Sequence, residues 1–198
     1  MKMIDQTQDR QALYWRLSQC YHPPDECLLA TLRGPEGQGL LAPRCPDLED
    51  LRRDHAQLFV GPFTVTAPPY ASVYLDNDRR VWGETTMDVA ARYREEGLKV
   101  TLKEPADHVA IELEYMSLLI HRQMKAEADG AYDIAAGYLG KQRDFLEMHL
   151  GVWIPMLTDR IVRHARTAFY RDLGRDTHDL VSRDLENCCS RDCTPSRA

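Results

Sequence analysis

Apolar residues recur at spacings of three and four over most of the chain, so the sequence reads as one helix after another. The first runs from about Asp5 to Tyr21 and stops at "HPPDE", where two prolines break it and Asp25 can cap a short second helix reaching Arg33. "GPEGQGLLAPRCP" is a loop, and "DLEDLRRDHAQLFV" is a helix carried by Leu48, Leu51, His55, Leu58 and Phe59. The following "GPFTVTAPPYASVYLDNDRRVWGE" is rich in proline and glycine and has no helical period. "TTMDVAARYREEG" forms a helix that Gly97 closes as a C-cap. Beyond Pro105 the pattern is long helices to about Leu185, interrupted near Gly130, at Trp153-Ile154-Pro155 and around Gly174. With no strand-turn-strand alternation, the fold class is all-α: a single-domain helical bundle with a long ordered loop between the Leu58-Phe59 helix and the next one.

That loop is informative by its length. Unstructured stretches of more than about fifteen residues are uncommon in compact domains. This one carries Phe63, Tyr70, Val73, Tyr74 and Trp82, too much apolar surface for a solvated linker, so it packs on the domain. Two outcomes follow: a loop that only covers the core, or one that also lines a groove.

The stretch "LKEPADHVAIELEYM" sets acidic and imidazole groups at a helix start. Pro105 suits the first helical position, which places Asp107 in the first turn, ionised and favoured by the helix dipole. Around the helix, Val109, Leu113, Met116 and Ile120 make one apolar stripe, and Ile111, Tyr115, Leu118 and Leu119 a second beside it. Only the arc of Glu114, Ser117, His121 and Lys125 is wet, so this helix belongs near the middle of the bundle. His108 and Glu112, four apart, point into the apolar arc and can reach each other or a nearby backbone group, while Asp107 projects toward the polar edge.

Length and charge narrow the function. At 198 residues the chain makes one ordinary domain, here residues 1–187, followed by a polar cysteine-containing tail at 188–198 that is expected to be disordered. Lys and Arg number 25 against 31 Asp and Glu, a net of −6, which disfavours nucleic acid and suits a basic partner. No apolar run is long enough for stable membrane insertion, and the N-terminus has no signal-peptide pattern, so the chain is expected to be cytoplasmic. Cys20, Cys27 and Cys45 are scattered, and Cys188, Cys189 and Cys193 crowd the tail without the fourth ligand a structural zinc site needs. The Glu-x-x-His spacing of di-iron bundles is absent, as are phosphate loops, GxSxG and HExxH, so no metal, no cofactor and no catalytic residue is expected. A metal-binding or catalytic all-α protein using His108 and Glu112 remains the alternative. The tandem arginines Arg52-Arg53 and Arg79-Arg80 are internal and read as surface or salt-bridging residues.

"LFVGPFTVTAPPYASVYL", then "EPADHVAIELEYMSLL", then "FLEMHLGVWIPMLTDRI" resemble, in that order, the TorD/DmsD/NarJ family of cytoplasmic molybdoenzyme maturation chaperones. The resemblance covers roughly residues 58–161, and its most specific part is Glu-Pro-x-Asp-His joined to Glu-x-Glu-Tyr-Met. It implies a helical chaperone without catalytic turnover. Such a protein binds the twin-arginine signal peptide and precursor of a molybdopterin-dependent oxidoreductase and delays export until the cofactor is inserted. The peptide-binding positions would be Leu58, Phe59, Phe63, Pro69, Tyr70, Gly83, Asp107 and His108. Tyr70 stands where some relatives have tryptophan and His55 where some have an aromatic residue. Within the family both monomers and domain-swapped dimers occur, so either state is compatible. In this reading Asp107 is the accessible carboxylate that reads arginine, beside a groove formed by the loop and the Leu58-Phe59 helix end.

Overall fold

The computed structural model describes residues 2–33, 47–61, 65–77, 81–98 and 105–191, with side chains from 7 to 187 within these ranges. The helices are α1 (Lys2–Cys20), α2 (Glu26–Arg33), α3 (Leu48–His55), α4 (Ser72–Leu75), α5 (Glu84–Glu95), α6 (Val109–Ala128), α7 (Tyr132–Phe145), α8 (Gly151–His164) and α9 (Ala168–Arg191). A π-turn, Ala56–Val60, extends α3, and another, Leu146–Leu150, joins α7 to α8 without a break. Apart from one isolated antiparallel bridge between Tyr70 and His108, no strand occurs among the described residues. No helix among them is long and apolar enough to cross a membrane.

The two apolar stripes of α6 explain its place. Val109, Leu113, Met116, Leu119 and Ile120 are fully buried, and α6 packs between α1 and α7. The arc expected to be wet is partly covered: Ser117 is buried, because α1 lies on it and Gln11 Nε2 donates to the Ser117 hydroxyl at 2.8 Å. The same polar seam continues as Arg10 reaches Asp184 (2.5 Å) and Gln142 (2.7 Å), and Tyr14 donates to Asp184 (2.9 Å). Most buried polar groups in a core are partnered, and here the partners tie α1 to α6, α7 and α9.

Two expected interruptions do not occur. α8 runs through Pro155 and α9 through Gly174. A side chain at Gly174 would press on Ile161 and Val162 at 3.1 to 3.4 Å, so this glycine permits close α8–α9 packing and does not end a helix. The real break falls at Ala165, where the buried Asp54 accepts from Arg166 N (3.1 Å), Thr167 N (2.8 Å) and the Thr167 hydroxyl (2.7 Å). A carboxylate from α3 thus satisfies N–H groups at the start of α9, which local sequence cannot announce. Gly97, with φ of 71°, closes α5 as expected, and Leu98 N returns to Tyr93 O at 2.9 Å. At the other end α9 continues to Arg191, past the expected boundary at 187; residues 192–198, with Cys193, lie outside the described part.

Candidate functional site

The segment after α3 folds back onto the start of α6. Ala67 N donates to Leu58 O (2.8 Å), Val109 N to Pro69 O (2.9 Å) and Ala71 N to Asp107 O (3.0 Å). This stitching takes up the backbone of 105–108, so α6 begins at Val109, later than Pro105 predicted. His108 is therefore the N-cap, its Nδ1 accepting from Ala110 N at 3.2 Å. That bond requires a lone pair on Nδ1, so the neutral ring carries its proton on Nε2. Burial, with His22 and His55 nearby, pushes His108 down to about 3 and keeps it neutral.

Asp107 is not the accessible carboxylate its sequence position suggested. It is 0% exposed; Oδ2 accepts from Ser72 N and Oδ1 from the Thr86 hydroxyl, both at 2.8 Å. It gathers the first turns of α4 and α5 onto the entrance of α6. Of the two partners expected for His108, the structure shows the backbone one, Ala110 N, and no side-chain hydrogen bond to Glu112 among the described residues. Glu112 instead accepts from Trp153 Nε1 on α8 at 2.9 Å, and its other oxygen has no partner among the described residues. Burial raises its carboxyl well above the ordinary range. The pair is thus two separate devices, a helix cap and an inter-helix tie. Cys20, the buried thiol, is pushed up to about 12 by burial and by Asp176, so it is no thiolate nucleophile.

Leu58 and Phe59 lie in the core, not along a groove: Leu58 is fully buried, and Phe59 packs on Tyr21, His55 and Tyr170 with centroids 5.1 to 5.9 Å apart. His55 completes this cluster as a ring, which accounts for an imidazole at a position otherwise suited to an aromatic residue. Pro69 is buried and contributes its carbonyl, and Gly83 precedes α5, its carbonyl accepting from Met87 N at 3.2 Å. Phe63 lies outside the described residues. The loop between them covers the core in part: Tyr74 leans on Trp153 at 5.6 Å, with Arg160 5.1 Å from its ring. It also leaves surface. Tyr70 is half-buried and meets the His108 ring edge-on at 5.2 Å, while Trp82 is 64% exposed with a left-handed φ of 72°, a strained backbone for a bulky residue.

Two rim residues escaped the sequence reading. His22, just past α1, lies parallel to His108 at 6.4 Å, and its Nε2 is 3.6 Å from Glu114 Oε1, which also accepts from Gln19 Nε2 at 3.1 Å. Glu114 could be placed on the polar arc of α6, but only α1 packing brings His22 beside it. Arg52 and Arg53 pair with Glu49 (3.1 Å) and Asp50 (3.2 Å) on the surface of α3, while Arg79 and Arg80 fall outside the described set.

Comparison with known proteins converges on one family. The profile of the nitrate reductase delta subunit family matches residues 29–159. The chain is 30% identical over 129 residues to the Tat proofreading chaperone DmsD of Salmonella typhimurium, covering 64% of this chain and 56% of that protein. It is 32% identical over 123 residues to the chaperone protein TorD of Vibrio vulnificus, covering 61% and 56% respectively. The match thus spans little more than half the length of these relatives. A crystal structure described as that of a redox enzyme maturation protein from Archaeoglobus fulgidus shares the fold, with a TM-score of 0.61 at 24% identity over 87% of this chain and 93% of that one. The chain belongs to the nitrate reductase delta subunit family, in keeping with the TorD/DmsD/NarJ resemblance of its motifs.

Proposed function

We propose that this chain is a maturation chaperone that binds, in the cytoplasm and without catalytic turnover, the twin-arginine signal peptide of a molybdopterin-dependent oxidoreductase precursor and holds it until cofactor insertion. The observation that carries this reading is the rim where the loop joins α6. There the half-buried Tyr70 stands edge-on against His108, and the half-exposed His22 ring lies beside an accessible carboxylate, in a family whose named relatives are chaperones. A twin-arginine peptide presents planar cations followed by an apolar stretch, and such a rim meets both requirements. Burying the apolar stretch contributes about 25 cal/mol per Å² before ordering costs, so ring contacts should supply much of the affinity.

The test is calorimetric titration with a synthetic peptide carrying two consecutive arginines and a following apolar segment. Tyr70→Ala should weaken binding about tenfold, since one aromatic anchor is worth roughly 1 to 2 kcal/mol at such a contact. An unchanged dissociation constant would return the loop to a mere cover of the core.

A further inference from the structure

We infer that Glu114, held by Gln19 and lying beside His22, is the residue that takes an arginine guanidinium of the bound peptide. The inference rests on the peptide-binding reading above and assigns the arginine-reading role to a different carboxylate from the one the motif suggests. A guanidinium needs an accessible carboxylate with lone pairs left over from the protein's own hydrogen bonds, and it gains from a flat π surface alongside. Asp107 does not meet the first need: it is 0% exposed, and each of its oxygens already accepts from the protein, one from Ser72 N and one from the Thr86 hydroxyl. Glu114 has a side chain 34% exposed. Its Oε1 accepts from Gln19 and approaches His22, and its second oxygen has no partner among the described residues.

The surroundings suit a cation. The His22 ring lies beside the carboxylate, its Nε2 3.6 Å from Oε1, and is within 15° of parallel to the His108 ring behind it, so one ring face is at hand for a planar cation. His108, held neutral by burial and by its cap bond, puts no positive charge behind His22. Gln19 fixes the carboxylate from α1, and His22, itself half-exposed, makes a looser contact, at 3.6 Å, that an incoming arginine would replace. Planarity is the reason for selectivity: a guanidinium can engage both carboxylate oxygens and stack on a ring, whereas an ammonium of the same charge cannot.

The experiment titrates wild type, Glu114→Gln and Glu114→Lys with the twin-arginine peptide and with its twin-lysine counterpart. Glu114→Gln keeps an acceptor for Gln19 while removing the charge. It should weaken the arginine peptide about tenfold or more and bring its preference over the lysine peptide close to unity. Glu114→Lys should weaken the arginine peptide further. The preference is a ratio measured within each variant, so a change in folded fraction cancels from it. A Glu114→Gln protein that keeps wild-type affinity and wild-type preference overturns the assignment while leaving the chaperone reading intact. A wild-type protein that binds neither peptide removes both.

Discussion

Asp107 and Glu114 lie within two turns of each other at the entrance of α6, yet the fold uses them in opposite ways. Asp107 is sealed in, with donors from α4 and α5 on its two oxygens, while Glu114 stays at the rim with one oxygen held by α1. Their chemistry is nearly identical, so the difference is one of access. A carboxylate whose lone pairs are spent on the protein organises structure, and one with a free oxygen at the surface can organise a partner. Asp54 supports the first half of this rule from outside the motif: equally buried, it gathers the N–H groups at the start of α9.

Substitutions can break that contrast. The largest effect is expected from Asp107→Ala, which strands the Ser72 N–H and the Thr86 hydroxyl. A loss of about 3 kcal/mol in urea unfolding follows from two hydrogen bonds to a buried carboxylate. A variant of undiminished stability that nonetheless loses the peptide would return Asp107 to the role of arginine reader. Next comes Trp153→Phe, which leaves a Glu112 oxygen without its donor and should cost about 2 kcal/mol by thermal or urea denaturation with little change in peptide affinity. Were affinity to fall while stability held, the Glu112 side of α6 would have to be counted with the rim.

At neutral pH the smallest effect is that of replacing His108, and it shows on acidification. His108 has a folded-state value near 3 against an ordinary 6.5, so the unfolded chain takes up the extra proton. The stability contributed by its neutral form is therefore complete above about pH 6.5 and drains away as pH falls from there toward 3. His108→Asn keeps a good N-cap and removes this titration, at a cost of less than about 1 kcal/mol at neutral pH. Its unfolding midpoint should fall less steeply than that of wild type between pH 6.5 and 4, with His55 and His149, also pushed down by burial, contributing equally in both proteins. Parallel curves would mean that the cap bond does not couple the ring to folding.

Reading the chain in order reached the helical class, the buried stripes of α6 and the Gly97 cap, because each depends on spacing of three and four or on a single local conformation. It went astray at Pro155 and Gly174, local breaker signals that the α8–α9 contact overrides, and at Ala165, where the break depends on a carboxylate from α3. The motif around Asp107 was legible as a special place, and its Tyr70 and His108 do meet there. What each side chain does at that place was not legible, since Ser72, Thr86, His22 and Gln19 come from distant parts of the chain.

The sequence by itself determined that this protein is a bundle of helices, that α6 lies at its centre, and that the Pro-rich segment must return to the bundle, since periodicity and unburied aromatic surface leave no other arrangement. Only the tertiary structure decided which carboxylate faces inward and which remains available to a ligand. Accessibility is set by what packs across a side chain, and the groups that close over Asp107 and stop short of Glu114 arrive from elsewhere in the chain.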